Sequence, residues 1–221
     1  MALCWICVQE EATTREHRSK RSDLKAVFGD RGGVFLQTDQ RRNRRVQSID
    51  SKLAKYEPSL CVRCNTKRTQ QHDLAWEALS ASLRRRRPPL IPGGYIRCDR
   101  IFRYRTSQKM LDVHLFFVKW LGCQIVETHI PITPDICSFR AALLASKPHK
   151  NIWLSFGLAG GGSVAASDLD AASFTSSDAF DYLARFYIVD DIAVRVRFSG
   201  LKLPDDWHPQ NGNRLLIADY R

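Results

Sequence analysis

Residues 59–65, Ser-Leu-Cys-Val-Arg-Cys-Asn, decide the fold, because they return a cysteine spacing that opens the chain. Cys61 and Cys64 are separated by two residues, and so are Cys4 and Cys7. Two such pairs supply the four thiolates that hold a structural zinc ion in tetrahedral geometry. The sequence therefore predicts one zinc site that ties the start of the chain to this stretch, with four unliganded buried cysteines as the alternative.

A helix is predicted to begin at the second cysteine pair and to run from Cys61 to about Leu83. At about 100° per residue, one side of this helix is apolar in its C-terminal half and polar in its N-terminal half. We expect the apolar half to pack onto the scaffold and to hold the polar half facing the same way. The residues predicted on this side are Asn65, Arg68, His72, Trp76, Leu79 and Leu83.

A Glu-His pair, Glu16-His17, lies between the two cysteine pairs, and Asn65 directly follows the last cysteine. This arrangement resembles the zinc-bearing branch of the HNH (ββα-metal) endonucleases. The resemblance covers roughly residues 1–83, and the stretch 61–77 is also similar to bacterial and phage proteins of that type. It implies a small, zinc-stapled ββα-metal domain, treble-clef-like, at the N-terminus of an α+β chain.

The resemblance implies a metal-dependent endonuclease that hydrolyses phosphodiester bonds, with DNA as the expected substrate. His17 would then be the general base on a water molecule, and a neutral imidazole near pH 7 suits that role. Glu16 and Asn65 would hold a catalytic Mg²⁺ or Mn²⁺ ion that stabilises charge on the reacting phosphate. On the predicted helix, His72 could be a further ligand of this ion or could hold the scissile phosphate. Arg68 could neutralise a phosphate oxygen.

Each of these candidates also has an ordinary structural role, and the sequence leaves the alternatives open. His17 could be an exposed histidine of a strand, and Asn65 could cap the helix, since asparagine is a good capping residue. His72 could be a core histidine whose hydrogen bonds are satisfied, and Arg68 could form an ion pair with Asp73 or Glu16.

The family usually carries a central asparagine a few residues before the second cysteine pair, and residues 55–60 occupy that place here. Either Ser59 or Glu57 substitutes for it, or Asn43 returns from further upstream, or catalysis is weakened. The last case favours a second class of function, a non-catalytic, zinc-ribbon-like nucleic-acid-binding subunit of a larger assembly.

Positive charge is concentrated in the first part of the chain. Of the net +11, residues 1–88 contribute +9, from nineteen Lys and Arg against ten Asp and Glu. Such asymmetry favours contact with a polyanion, and nucleic acid is the common one. The resemblance to the HNH endonucleases implies double-stranded DNA as this partner. Residues 30–57 are polar and arginine-rich, and the stretch 39–45, which holds four arginines, has no apolar period. The stretch 39–45 is therefore predicted to be a loop or insertion, either solvated or in contact with phosphates.

The start of the chain, Met1 to Cys4, lacks the basic and apolar regions of a signal peptide. No run of roughly eighteen apolar residues is present. We therefore expect an intracellular, cytoplasmic protein with no membrane partner, and the resemblance implies a bacterial or phage origin. In that compartment paired cysteines favour metal binding over disulfides. The remaining cysteines, Cys98, Cys123 and Cys137, are expected to be buried apolar residues.

The arginine run 84–87 and the prolines after it are predicted to end the helix, with a turn at residues 90–94. This places a zinc-binding HNH-like domain at residues 1–88 and a second, α+β domain at residues 95–221. The second domain would supply a protein-partner surface or target recognition. Its histidines, His114, His129, His149 and His208, have no spacing typical of a site.

Further elements follow from local patterns. In the first domain we predict a hairpin over residues 1–17 and a short helix near residues 22–28, capped by Ser22 or Asp23 and stopped by Gly29. In the second domain the patterns predict a buried helix or strand over 110–127, a helix over 136–146, a strand over 151–157, a flexible loop at 160–162, a hairpin of 185–189 and 192–198 that turns at Asp190-Asp191, and a strand at 215–217.

Overall fold

The computed structural model describes residues 2–29, 34–38, 41–46, 48–127, 134–166, 171–174 and 180–221. Within these ranges the chain is α+β, as predicted. Its helices are α1 Arg21–Phe28, α2 Gln70–Arg84, α3 Thr106–Glu127 and α4 Pro134–Ala145. Its strands are β1 Val34–Thr38, β2 Arg41–Val46, β3 Tyr95–Arg97, β4 Ile152–Ala166, β5 Ala171–Phe174, β6 Phe180–Ser199 and β7 Arg214–Asp219.

The start of the chain folds back on itself as predicted. Leu3 pairs with Glu11 across a tight turn, and the chain then runs antiparallel to the stretch before the second cysteine pair, with Thr14 opposite Leu60. The helix after this segment, α1, begins at Arg21, one residue before the predicted cap. It ends as predicted at a glycine, which adopts a positive φ of 69° at the C-cap.

The arginine-rich stretch differs from the prediction of a loop. Residues Arg41–Val46 form β2, which pairs antiparallel with β1 in a separate two-stranded sheet. Backbone pairing with the apolar segment Val34–Thr38 is enough to form a strand without any apolar period in the arginine run. The turn between the two strands lies outside the described residues.

The predicted helix after the second cysteine pair is confirmed, but its first turns are irregular. Residues Cys64–Arg68 form a π-helical turn, and the Thr69 amide donates to the Cys64 carbonyl at 3.2 Å. A π turn holds one more residue than an α turn, which changes the angular positions of everything after it. Asn65 and His72 were predicted to share a face on the assumption of an ideal α-helix. That assumption does not hold across the π turn.

Residues 110–127, predicted to be either a helix or a strand, are helical and belong to α3. The core is built on the packing of α2 against α3. The Trp76 ring on α2 stacks on Phe116 at 5.6 Å between ring centroids and meets Phe117 edge-on at 4.9 Å. Buried residues from Cys4 to Ile217 form one continuous hydrophobic cluster. The division into two domains stays a prediction, since the residues on both sides of 88–94 share this cluster.

A five-stranded sheet with the order β3-β7-β4-β6-β5 covers the helices. Its centre is the long antiparallel pair β4 and β6, and β7 runs parallel to β4. The hairpin predicted to turn at Asp190-Asp191 is wrong, because β6 continues through these residues. Asp190 takes a positive φ of 58° where the register shifts opposite residues 158–163. The extra residues at this shift, 159–162, lie in β4, so the pattern marks a bulge of β4 opposite Asp190 and Asp191, and β6 does not reverse.

The glycines at 160–162, predicted to form a flexible loop, lie inside β4 at this same shift of register. Glycine inside a strand commonly marks a bulge, and the sequence could not separate a bulge from a loop. No helix among the described residues combines the length and apolar character needed to cross a bilayer.

Candidate metal centre

Four cysteines from the two ends of the first segment meet at one place. The Sγ atoms of Cys4, Cys7, Cys61 and Cys64 all lie within 4.8 Å of one another. Cys7 Sγ and Cys61 Sγ are 3.8 Å apart, close to the spacing that tetrahedral zinc requires with bonds of about 2.3 Å. Cys7 is half-buried and the other three are buried. The predicted cluster is confirmed, and its donor set fits a metal ion such as zinc.

Backbone hydrogen bonds hold the two cysteine pairs together. Val8, with a positive φ of 56°, donates its amide to the Cys4 carbonyl at 2.8 Å and closes the turn around the first pair. The Trp5 amide donates to the Ser59 carbonyl at 3.1 Å, which joins this turn to the stretch before the second pair. The Cys64 amide donates to Cys61 Sγ at 3.4 Å. The relative position of the two cysteine pairs is therefore fixed by backbone hydrogen bonds as well as by the thiols.

The thiols of the cluster titrate unequally. Burial raises the pKa of Cys7, but the amides of Gln9 and Glu10 outweigh it and lower the pKa to about 7. Burial raises the pKa of Cys61 to about 11, and burial together with Cys4 raises the pKa of Cys64 further. Thiolates gathered this closely repel one another, and a divalent cation removes that repulsion.

Glu16, expected to bind a catalytic ion, instead contacts a lysine from α3. The Lys119 ammonium lies 3.1 Å from Glu16 Oε2 and 2.6 Å from Asp73 Oδ1. The Lys119 side chain has 0% exposure. Burial alone would lower the pKa of Lys119, but the two carboxylates raise it well above its ordinary value. The lysine is therefore charged and acts as a buried counter-ion for both carboxylates.

His17, expected to be the general base, lies opposite Lys55 on the antiparallel pair of the first segment. Its Nε2 is 3.5 Å from Asp50 Oδ1 and has no hydrogen-bond partner among the described residues. Arg21 holds that aspartate with two bonds of 2.9 Å. Burial and Lys55 lower the pKa of His17, against the opposing effects of Glu16 and Asp50. The imidazole is consequently neutral near pH 7.

The three helix candidates contact three different partners. Asn65 Nδ2 donates to Thr14 Oγ1 at 3.2 Å. Arg68 Nη1 donates to Cys64 Sγ at 3.1 Å, and so lies beside the cysteine cluster. His72 Nδ1 lies 3.0 Å from the Asp112 carboxylate, with both side chains buried.

The structure thus brings the four cysteines together but separates the five catalytic candidates: Glu16, Asn65, Arg68 and His72 each contact a different partner, and His17 Nε2 forms no hydrogen bond with the described residues. In the described part of the chain, the cysteine cluster is the only group of three or more His, Cys, Asp and Glu side chains placed to hold a metal ion. The assignment of a catalytic Mg²⁺ or Mn²⁺ ion to Glu16, Asn65 and His72 stays a prediction.

Two residues of this region were not identified from the sequence. Lys119 and Asp112 both lie on α3, 103 residues from Glu16 and 40 residues from His72 respectively. A signal was present, since ionised side chains inside a strongly apolar helix are almost always paired. Their partners could not be read from spacing, because nothing local links α3 to the first segment.

A second cluster joins three histidines that were expected to be scattered. The rings of His114 and His208 are 5.1 Å apart, and His114 Nε2 accepts the His149 amide at 3.1 Å. All three are buried, and burial lowers the pKa of each, that of His149 to about 4. Neutral histidines with backbone partners are typical of a structural role. His129 lies outside the described residues.

No protein-family model, no curated protein and no solved structure matches this chain. The assignment of a function therefore rests on the residues and their geometry.

Proposed function

We propose that the chain is a zinc-stabilised nucleic-acid-binding protein that carries out no hydrolysis of its own. The observation that carries this proposal is the Lys119 ammonium, which lies within 3.1 Å of Glu16 and 2.6 Å of Asp73. The carboxylate expected to hold a catalytic ion already has a buried cation supplied by the chain. A divalent ion added at the same carboxylates would be repelled by that lysine.

The zinc ion in this proposal is structural. Four thiolates complete a tetrahedral shell and leave no open position for water or substrate. The antiparallel pairing of Thr14 with Leu60, followed by the helix that carries Cys64, supports a ββα-metal, treble-clef-like mounting for the ion. The ion would fix the start of the chain to the helix that packs into the core.

Charge supports a nucleic-acid partner. The excess of nine positive charges in residues 1–88 exceeds that of the remaining chain, at +2. The binding energy of such a surface comes mainly from phosphate contacts and is lost as salt rises. A polyanion that the protein grips without cutting is the partner this arrangement fits.

The test combines binding and cleavage on the same samples. We expect the zinc-loaded protein to bind labelled nucleic acid in fluorescence anisotropy, with affinity that falls steeply with added salt. In parallel we expect no cutting of supercoiled plasmid with Mg²⁺ or Mn²⁺. Absence of binding at low salt, or cutting that depends on His17, would overturn the proposal.

A second candidate function is the metal-dependent HNH endonuclease with His17 as general base and Glu16 and Asn65 as ligands of Mg²⁺ or Mn²⁺. The neutral imidazole with its free Nε2 favours it, because a general base must be unprotonated. It requires Glu16 to leave Lys119 when a divalent ion binds.

This second function has its own signature. Plasmid cutting by the wild type should disappear in His17→Ala and persist in Lys150→Ala, which changes an exposed residue far along the chain. Equal cutting by both variants would point to a contaminating nuclease and would remove this candidate.

A further inference from the structure

A groove lined by arginines lies where the C-terminal end of α2 meets the turn after β3. It has a volume of about 710 Å³ and is open to solvent. One side is formed by the last turn of α2 and the residues after it, and the other by the turn that contains Arg100 and Ile101. The charged residues of the groove are Arg85, Arg86, Arg87 and Arg100.

Counter-charge near these four arginines is sparse: among the described residues, Asp99 interacts electrostatically with the neighbouring Arg100, and Arg87 Nη1 donates to the Arg86 carbonyl at 2.8 Å. No carboxylate of the described residues lies within 4.0 Å of any of them. Two exposed arginines elsewhere are paired, Arg97 with Asp99 at 2.6 Å and Arg221 with Asp219 at 2.9 Å. Like charges concentrated around one groove repel one another unless an external anion neutralises them.

The helix dipole explains only part of this arrangement. Arginines near the C-terminus of α2 interact favourably with its last carbonyls. Arg100 is not on that helix, yet it lines the opposite side of the groove. Guanidinium groups on both sides of an open groove are suited to phosphate groups that pass between them.

An exposed aromatic residue follows the groove in the chain. Tyr104, four residues after Arg100, has 85% of its surface exposed and is flanked by the exposed Arg103 and Arg105. Alternation of cations with an exposed aromatic ring is typical of proteins that bind single strands, where unpaired bases stack on the ring. In a duplex the bases are already stacked on each other and are not available to such a ring.

We infer that this groove binds the backbone of single-stranded nucleic acid and that Tyr104 stacks on one of its bases. The inference rests on the proposed function and departs from the double-stranded DNA that the family resemblance implies. It assigns the contact to the end of α2 and residues 100–105, outside the β1–β2 hairpin that carries the arginine run.

The experiment measures anisotropy of a labelled oligothymidine of about 20 nucleotides and of a duplex of matched length. The groove variant is Arg85→Gln/Arg87→Gln/Arg100→Gln. The control variant, Lys147→Gln/Lys150→Gln/Lys202→Gln, removes the same number of exposed cations from other loops. Three lost phosphate contacts should weaken single-strand binding roughly a hundredfold near 0.1 M salt and reduce the salt slope by about 2.

Tyrosine substitutions separate stacking from charge. Tyr104→Ala should weaken single-strand binding about tenfold without changing the salt slope, and Tyr104→Phe should bind like the wild type. Thermal melting of each variant confirms that the fold is retained, which is expected because every substituted side chain is at least partly exposed.

The outcomes separate this inference from the proposed function. If the wild type binds no nucleic acid, both are overturned. If it binds, but the groove and control variants lose affinity equally, the groove is overturned and the proposed function stands. If the duplex binds as tightly as the single strand and Tyr104→Ala has no effect, the single-strand assignment is overturned while binding remains.

Discussion

Two places in this molecule gather ligand atoms that carry negative charge when ionised. The charge is neutralised by a different kind of cation at each place. At the cysteine cluster four sulfur atoms lie within 4.8 Å of one another, with Arg68 on Cys64 as the neighbouring cation. At the second place, the carboxylates of Glu16 and Asp73 enclose Lys119. The first centre is placed to hold a metal ion from solution, and the second contains a cation of the chain itself.

The source of the counter-charge decides what each centre can do. A metal ion at the cysteines can be removed by a chelator, so the fold of the first segment should depend on it. The lysine belongs to the chain and no chelator removes it, so Glu16 and Asp73 are neutralised without a metal ion. Because of this difference we assign a structural role to Glu16 and a metal-binding role to the cysteines. Substitutions can remove the counter-charge at either centre.

Loss of the metal should have the largest effect. We expect the wild type to bind one zinc ion per chain and Cys64→Ser to bind none. Because metal binding and folding are linked, that variant should lose roughly 5 kcal/mol or more of unfolding free energy. Metal content by mass spectrometry and unfolding in urea measure the two quantities.

Cys137→Ser is the matched control for the cysteine substitution, since Cys137 is exposed and lies outside the cluster. It should keep its zinc and its stability. Zinc content that is equal in the two variants would contradict the cysteine site, and unchanged stability after zinc loss would show that the ion does not hold the fold.

Loss of the internal cation should have the next largest effect. Lys119→Met leaves Glu16 without its cation and Asp73 with Lys20 alone, at 3.4 Å, and breaking a buried ion pair in this way costs about 3–5 kcal/mol. Urea unfolding measures the loss. Adding Glu16→Gln and Asp73→Asn to the same chain removes the unpaired charges and should recover at least half of it.

A second variant of the same lysine, Lys119→Ala, tests the contrast between the two centres. With the ammonium gone, in Lys119→Ala, Mn²⁺ should raise the melting temperature by binding Glu16 and Asp73, whereas the zinc-loaded wild type should not respond. A wild type stabilised equally by Mn²⁺ would mean that a divalent ion displaces the lysine. The nuclease candidate would then gain over the binding protein.

The sequence predicted the cysteine centre because its information is local. Two short spacings identify the ligands, and the chemistry of thiolates identifies the metal class. The same applies to α1, the helix after Cys61 and the last strand, where caps, apolar periods and stop residues lie within a few positions of one another. These elements agree with their patterns because no distant partner overrides them.

The lysine centre could not be predicted in the same way. Its members Glu16, Asp73 and Lys119 come from three separate stretches, and only the packing of α2 on α3 brings them together. The predictions for the long strands β4 and β6 were wrong for a related reason. Gly160 and Asp190 are typical turn residues, and only pairing across the two strands identifies their positions as a bulge.

The contact between the two centres should produce the smallest of the three effects. Trp5, next to Cys4 in the metal turn, packs against Gly122, one turn along α3 from Lys119. A Cβ at Gly122 would lie 2.4 Å from the Trp5 ring, so Gly122→Ala must push the metal turn away from α3. We expect a loss of about 1–3 kcal/mol in urea unfolding.

Gly200→Ala is the control, because a Cβ at Gly200 has no neighbour within 4 Å. It should leave stability unchanged. Zinc retained by Gly122→Ala at a lower stability would place the damage at the contact and not at the metal. If Gly122→Ala were as stable as Gly200→Ala, the metal turn would not be packed rigidly on α3. The two centres would then act independently.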